Sequence, residues 1–200
     1  VVQPIYVSVG LSWEDAERVV VGRFLDAIRP RFPVRELVEL SIDMRDVYSP
    51  THWALVGRPP AYHTPDEDVY LPGRNIVLLG KAGVYCATAR IGRLALGTLD
   101  HNPFPDATPE FRTDMAAALS RGLAHELTID APYARVRKAE VIRRGISLGL
   151  PLELTLSCMS PSGGLHCGLC SKCRERHDAF VEAGVDDPTS YADLRFVLVR

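Results

Sequence analysis

Leu94-Ala95-Leu96-Gly97 and His125-Glu126-Leu127-Thr128-Ile129 are short apolar runs on either side of a helical stretch from Pro109 to Gly122. The first run ends at a glycine. The second is followed by a further helical stretch, Val136 to Leu148, which Gly149 and Pro151 bring to a stop. A strand, a helix and a second strand at this spacing predict a crossover connection between parallel strands. Working outward from this unit, Val2 to Val9 reads as an earlier strand. Ser12 is an N-cap candidate ahead of the acidic turn Glu14-Asp15, and the helix it opens runs to about Ile28. Leu37 to Ile42 reads as another strand, and Asn75 as the cap of an apolar helix from Ile76 to about Ala89. The alternation predicts an α/β fold with a doubly wound, mostly parallel sheet, whose ligands sit beyond the carboxyl ends of the strands.

Between these elements, Met44 to Tyr70 carries Pro50, Pro59, Pro60 and Pro65 and no sustained periodicity. It reads as a long loop placed to act as a lid, and its aromatic residues Tyr48, Trp53, Tyr62 and Tyr70 argue against plain disorder. The chain has 200 residues, 46% hydrophobic and 24% charged, which suits one globular domain. A net charge of −2 argues against broad capture of nucleic acid, which needs clustered cations, and makes small molecules the expected partners. No apolar run is long enough to span a membrane.

Four of the five cysteines crowd into Cys158, then eight intervening residues, then Cys167-Gly168-Leu169-Cys170-Ser171-Lys172-Cys173. Four soft thiolates at these spacings suit closed, tetrahedral Zn2+ in a structural role, within a reducing, cytoplasmic setting. An iron-sulfur cluster or a redox pair is the alternative reading of the same spacing. His166 and His177 are expected outside the ligand set, hydrogen-bonded to the sulfurs. Cys86 is expected to be a small buried hydrophobe.

The run Leu154-Thr155-Leu156-Ser157-Cys158, continued by Leu165-His166-Cys167-Gly168-Leu169-Cys170-Ser171-Lys172-Cys173-Arg174-Glu175-Arg176 and Ala179-Phe180, resembles the zinc-binding end of the 7-cyano-7-deazaguanine synthase family. Tyr70-Leu71-Pro72-Gly73-Arg74-Asn75, Pro105-Asp106 with Pro109-Glu110-Phe111, and Ala131-Pro132 with Lys138-Ala139-Glu140-Val141-Ile142 are similar in the same order. The resemblance spans about Tyr70 to Phe180. It implies a Rossmann-like fold of the adenine nucleotide alpha-hydrolase (PP-loop) type over residues 1–200, with a zinc-binding subregion at 151–184. It also implies an ATP-dependent ligase that uses ATP with Mg2+ to convert a deazapurine acid and ammonia into a nitrile, in a chain compatible with a homodimer.

Residue by residue, the resemblance and the strand-end placement assign Arg74 and Lys138 to phosphate charge, and Gly97, Asp100, Phe104, Asp106 and Glu110 to the heterocycle. Ser8 and Asn75 are assigned to the nucleotide. The family's Ser-Gly-Gly-x-Asp-Ser loop does not occur in the 200 residues, so its strand, loop and helix are expected to lie outside this numbering. Ser162-Gly163-Gly164 mimics its opening but runs into the cysteines. Ala107-Thr108 and Ser8-Val9-Gly10-Leu11 depart from the family's usual residues. A zinc-stabilised module without activity and a PP-loop enzyme acting on tRNA are the alternatives.

Overall fold

The β1 strand (Ile5–Ser8) pairs in parallel with β2 (Val38–Ser41), Ile5 opposite Val38, and β3 (Arg93–Ala95) pairs in parallel with β4 (Thr128–Asp130), Arg93 opposite Thr128. This computed structural model describes residues 1–196. The helix α1 (Glu14–Ile28) connects the first pair and α4 (Pro109–Leu123) the second, so each pair is the crossover unit that the alternating sequence predicts. Among the described residues the strands form two separate two-stranded sheets rather than one doubly wound sheet. The helix α3 (Arg74–Thr88) packs against both β1 and β3. Its buried face of Leu79, Ala82 and Cys86 forms one wall of a cavity of about 770 Å³ that separates the two pairs. Cys86 is 1% exposed and burial raises its thiol pKa, as suits a small hydrophobe.

Two caps differ from expectation. Trp13, not Ser12, precedes α1, and the order around the strand end explains why. The Glu14 carboxylate is buried and accepts from Ser8 Oγ at 2.5 Å and from the amides of Val9 and Gly10 at 2.9 and 3.1 Å. An acidic side chain at the helix start thus binds the strand end directly, where both the dipole and free amides favour negative charge. At α3, Gly73 caps in the left-handed conformation (φ +77), and Asn75 lies inside the first turn with another task described below.

Met44 to Tyr70 packs several of its side chains into the core. It folds into the short helix α2 (Trp53–Val56) and a 3-10 turn at Asp66–Val69, and it buries Met44, Tyr48, Ala54, Tyr62 and Val69. Trp53 stacks on Trp13 with centroids 5.7 Å apart. Prolines deny this segment regular ladders, so the aromatic side chains pack from irregular backbone, a pattern without period.

The helices α5 (Lys138–Ser147) and α6 (Ser171–Ala183) pack through Ala139, Ile142, Ala179 and Phe180. The segment beyond α6 returns over the cysteine loop. The amide of His166 donates to the Ser190 carbonyl at 3.0 Å, and that of Ala192 to the His166 carbonyl at 2.8 Å. Gly168 (φ +76) admits this return, because a Cβ there would stand 1.9 Å from the Asp193 carbonyl oxygen. Arg176, 5% exposed, fastens the same layer by donating to Thr155 Oγ1 at 2.9 Å and the Leu152 carbonyl at 3.0 Å, with Asp187 3.7 Å away. Replacing Arg176 with Met is expected to destabilise the fold by about 3 kcal/mol, since it leaves Asp187 buried without its countercharge, and urea denaturation measures the loss.

Candidate ligand cavity and metal centre

Beyond the carboxyl end of β3 the chain opens into a cavity of about 670 Å³. Its walls come from the first turn of α3, the Thr98–Asp106 loop, the 3-10 turn at Asp66–Val69 and the starts of α5 and α6. Asn75 and Asp106 lock the first two together. The Asn75 amide donates to Asp106 Oδ2 at 3.1 Å, and Asn75 Nδ2 donates to Asp106 Oδ1 and to the Asp106 carbonyl, both at 3.2 Å. Asp106 is 5% exposed, so its carboxylate fills the anion position at the α3 terminus and fixes the loop against it.

Arg74, one residue earlier, is the opposite case. Its Nε is buried with no hydrogen-bond partner, and its guanidinium makes no ion pair among the described residues. Its charge nevertheless offsets the burial that raises the pKa of Glu17. Arg74 lines both this cavity and the one between the strand pairs. Across from it, Tyr70 stacks on Phe104 with centroids 5.2 Å apart, forming an aromatic wall.

The remaining wall is ionic. Lys138 pairs with Glu175, and Lys172 Nζ reaches the same carboxylate at 2.6 Å and Asp66 at 3.5 Å. Burial lowers the Lys138 pKa against the pull of Glu175, whereas burial would raise Glu175 but the two lysines outweigh it and hold its carboxyl low. Lys138 is therefore not a free phosphate ligand. It is one half of a carboxylate clamp facing the cavity.

Of the residues singled out from sequence, Arg74, Asn75, Gly97, Asp100, Phe104, Asp106 and Lys138 share this cavity. Glu110 is exposed on α4 and does not line it, nor does Ser8, whose hydroxyl is taken by Glu14. Thr98, Lys172 and Glu175 also line the cavity but were not among those assignments. The i, i+3 spacing of Lys172 and Glu175 at the start of a helix was the available signal for the last two.

Behind the ionic wall, the sulfur atoms of Cys158, Cys167, Cys170 and Cys173 all lie within 4.8 Å of one another. Cys167 and Cys173 are 3.9 Å apart and Cys170 and Cys173 3.5 Å. Metal-sulfur bonds of about 2.3 Å in tetrahedral array separate sulfurs by about 3.8 Å, so the donor set fits one ion. The amides of Ser160 and Cys167 donate to Cys158 at 3.3 and 3.2 Å, and that of Leu169 to Cys167 at 3.4 Å. Such bonds favour thiolates. The sulfurs thus draw on backbone amides rather than on the histidines expected there. His166 Nε2 accepts from the Ser157 amide at 3.2 Å, and His177 Nδ1 lies 4.0 Å from Asp187. Four thiols this close conflict with one another, since they cannot all become anions without a countercharge. A divalent cation removes that conflict by accepting all four as anions.

Fold and site together define an α/β protein with parallel strand pairs, a cavity at a strand end and a four-cysteine cluster that can hold a metal ion. The family model described as queuosine biosynthesis protein QueC matches residues 56–184, and the chain belongs to this family. It is 38% identical over 130 residues to the 7-cyano-7-deazaguanine synthase of Anaeromyxobacter dehalogenans, covering 62% of this chain and 56% of that protein. It is 35% identical over 136 residues to the synthase of Methanopyrus kandleri, covering 62% and 59%, and 36% identical over 137 residues to that of Caldicellulosiruptor bescii, covering 66% and 62%. The chain thus spans less than two thirds of the length of these relatives. Among the described residues no helix is long and apolar enough to cross a membrane.

Replacing Cys170 with Ser is expected to abolish stoichiometric metal binding and lower the melting temperature together. Elemental analysis and a thermal melt on the same preparation check both.

Proposed function

We propose that the chain belongs to an ATP-dependent ligase that converts 7-carboxy-7-deazaguanine and ammonia into 7-cyano-7-deazaguanine. The observation that carries this reading is Arg74 at the start of α3, which makes no ion pair among the described residues and shares a cavity with the Tyr70–Phe104 stack. A flat heterocycle extends the stack and an oxyanion meets the guanidinium. Membership of the QueC family and relatives named for this reaction support it.

In the reaction proposed, a carboxylate oxygen of the acid attacks the α-phosphorus of ATP. The bond to the β-phosphate breaks and pyrophosphate leaves; Mg2+ bound with ATP would neutralise its charge. Ammonia then displaces AMP from the acyl carbon. A second ATP adenylates the amide oxygen, and loss of AMP and protons leaves the nitrile. Arg74 neutralises charge on the transferring phosphoryl group, and Lys138 shares its charge between Glu175 and the phosphates. Asn75 fixes the loop after Gly97 against the start of α3 through Asp106, while Gly97 and Asp100 border the heterocycle. The four thiolates hold a structural Zn2+ that makes no contact with the reacting atoms, in a reducing, cytoplasmic setting that keeps the cysteines free.

The two strand pairs are, in this reading, halves of one doubly wound sheet, joined by a strand seated in the apolar cavity between β1 and β3. Two features support it: β1 pairs only with β2 and β3 only with β4 among the described residues, and α3 runs beneath both. Alternate residues of a parallel strand point their amides and carbonyls to opposite edges, so each strand retains a free edge for pairing.

Mass spectrometry of the full-length protein with ATP, ammonium and 7-carboxy-7-deazaguanine is expected to show the nitrile and pyrophosphate. An unchanged acid sinks the reading. Arg74→Gln is expected to lower kcat/KM by roughly 10²- to 10³-fold with the melting temperature held, as removal of one electrostatic contact to developing charge does.

A further inference from the structure

The ionic wall of the cavity offers one carboxylate to two ammonium groups. Lys138 at the start of α5 pairs with Oε1 of Glu175, and Lys172 Nζ lies 2.6 Å from Oε2 of the same side chain, so each oxygen holds one cation. All three side chains line the cavity, and Lys138, Lys172 and Glu175 are 29%, 24% and 29% exposed, within reach of a ligand that enters it. Lys172 has a second carboxylate, Asp66, at 3.5 Å, whereas Lys138 pairs with Glu175 alone among the described residues. The neighbouring Arg137 is matched by its own partner, Glu182, on the same wall.

The cluster is assembled across two packed helices. Lys138 comes from α5, Lys172 and Glu175 come from α6 at i, i+3 spacing, and Ala139, Ile142, Ala179 and Phe180 hold the helices together. Two ammonium groups on one carboxylate repel each other, and the carboxylate between them offsets that repulsion. With its charge removed, Lys172 keeps Asp66 and Lys138 is left with no fixed position. The carboxylate has a second effect on anything anionic in the cavity. Such a ligand must draw the ammonium groups from oxygens that already hold them, so it binds less tightly than it would to free lysines.

We propose that Glu175 is a positioning residue that holds the ammonium groups of Lys138 and Lys172 in the cavity wall and competes with pyrophosphate for them, which lets that product leave. This rests on the ligase reading and adds the residue that sets how firmly the product is held. Pyrophosphate has no ring to stack on the Tyr70–Phe104 wall, so its hold on this cavity depends on the cations.

The test uses full-length protein and the near-isosteric variant Glu175→Gln, with Glu175→Asp as the control that keeps the charge. Calorimetry with magnesium pyrophosphate needs no turnover. Glu175→Gln is expected to bind it about 10-fold more tightly than wild type, the weight of one hydrogen bond to a charged group, with the melting temperature held. Glu175→Asp returns the affinity to that of wild type. In turnover, Glu175→Gln is expected to lower kcat and KM for ATP together, each by about 10-fold, because loose lysines grip the phosphates without aligning them. A purely structural role for Glu175 would not tighten binding. Equal or weaker pyrophosphate affinity in a folded Glu175→Gln protein overturns the proposal, as does the absence of binding by both proteins. Where Glu175→Gln melts early, Lys138→Met takes its place and is expected to weaken pyrophosphate binding by about 10-fold; an unchanged affinity overturns the proposal. A wild-type protein that leaves 7-carboxy-7-deazaguanine unchanged fails the ligase reading, while tighter pyrophosphate binding by Glu175→Gln still upholds the competition.

Discussion

The contact between Asn75 and Asp106 joins the start of α3 to the loop that leaves β3, and the cavity exists because of it. Three hydrogen bonds from one asparagine hold a carboxylate that is 5% exposed against a helix terminus. Without them the loop after Gly97 would keep the Asp100 amide and the Arg112 bond to the Ala107 carbonyl, and the Tyr70–Phe104 wall would lose its backing. With Asp106 filling the terminal anion position, Arg74 keeps a buried Nε with no hydrogen-bond partner among the described residues. Asn75 and Asp106 thus shape the cavity, and its open binding capacity falls to their neighbours.

The same division runs through the charged residues at large. Glu14 is consumed in tying α1 to β1, Arg176 in holding the layer beyond α6, and Lys138 and Lys172 in sharing Glu175. Each of these groups is satisfied within the protein. A cavity wall of paired charges is stiff, and it admits an anion by sharing a lysine rather than by supplying one that is free.

Periodic signals in the sequence carried much of this architecture. The strands and helices on both sides of Gly97 lie within a few residues of where hydrophobic runs, Gly149 and Pro151 place them, and the cysteine spacing alone brings four sulfurs together. What escaped depends on contacts distant in sequence. Ser12 has the right chemistry for a cap, yet Trp13 holds that position without a side-chain bond, and Glu14 ties the helix start to the amides at the end of β1. Met44 to Tyr70 has no period and still buries aromatic side chains, since irregular backbone leaves no repeat to read. Asp106 looked like a base-reading acid because nothing local reveals that Asn75, 31 residues earlier, claims it. Ser8 follows Val7, which lines a cavity, yet does not line one itself, and Glu110 lies exposed on α4 away from both cavities.

Lys172 stands between Cys170 and Cys173 on the first turn of α6, with its ammonium in the cavity wall and its backbone in the metal loop. A helix turn cannot rotate without carrying both sulfurs and lysine together. The four-cysteine cluster is therefore a jig for the cavity's electrostatics: the angle at which α6 leaves it decides where Lys172 and Glu175 meet Lys138. An apolar plug put in place of the thiols could restore the packing of this corner, yet it would not set that angle, and the protein would keep its shape while its cavity lost calibration.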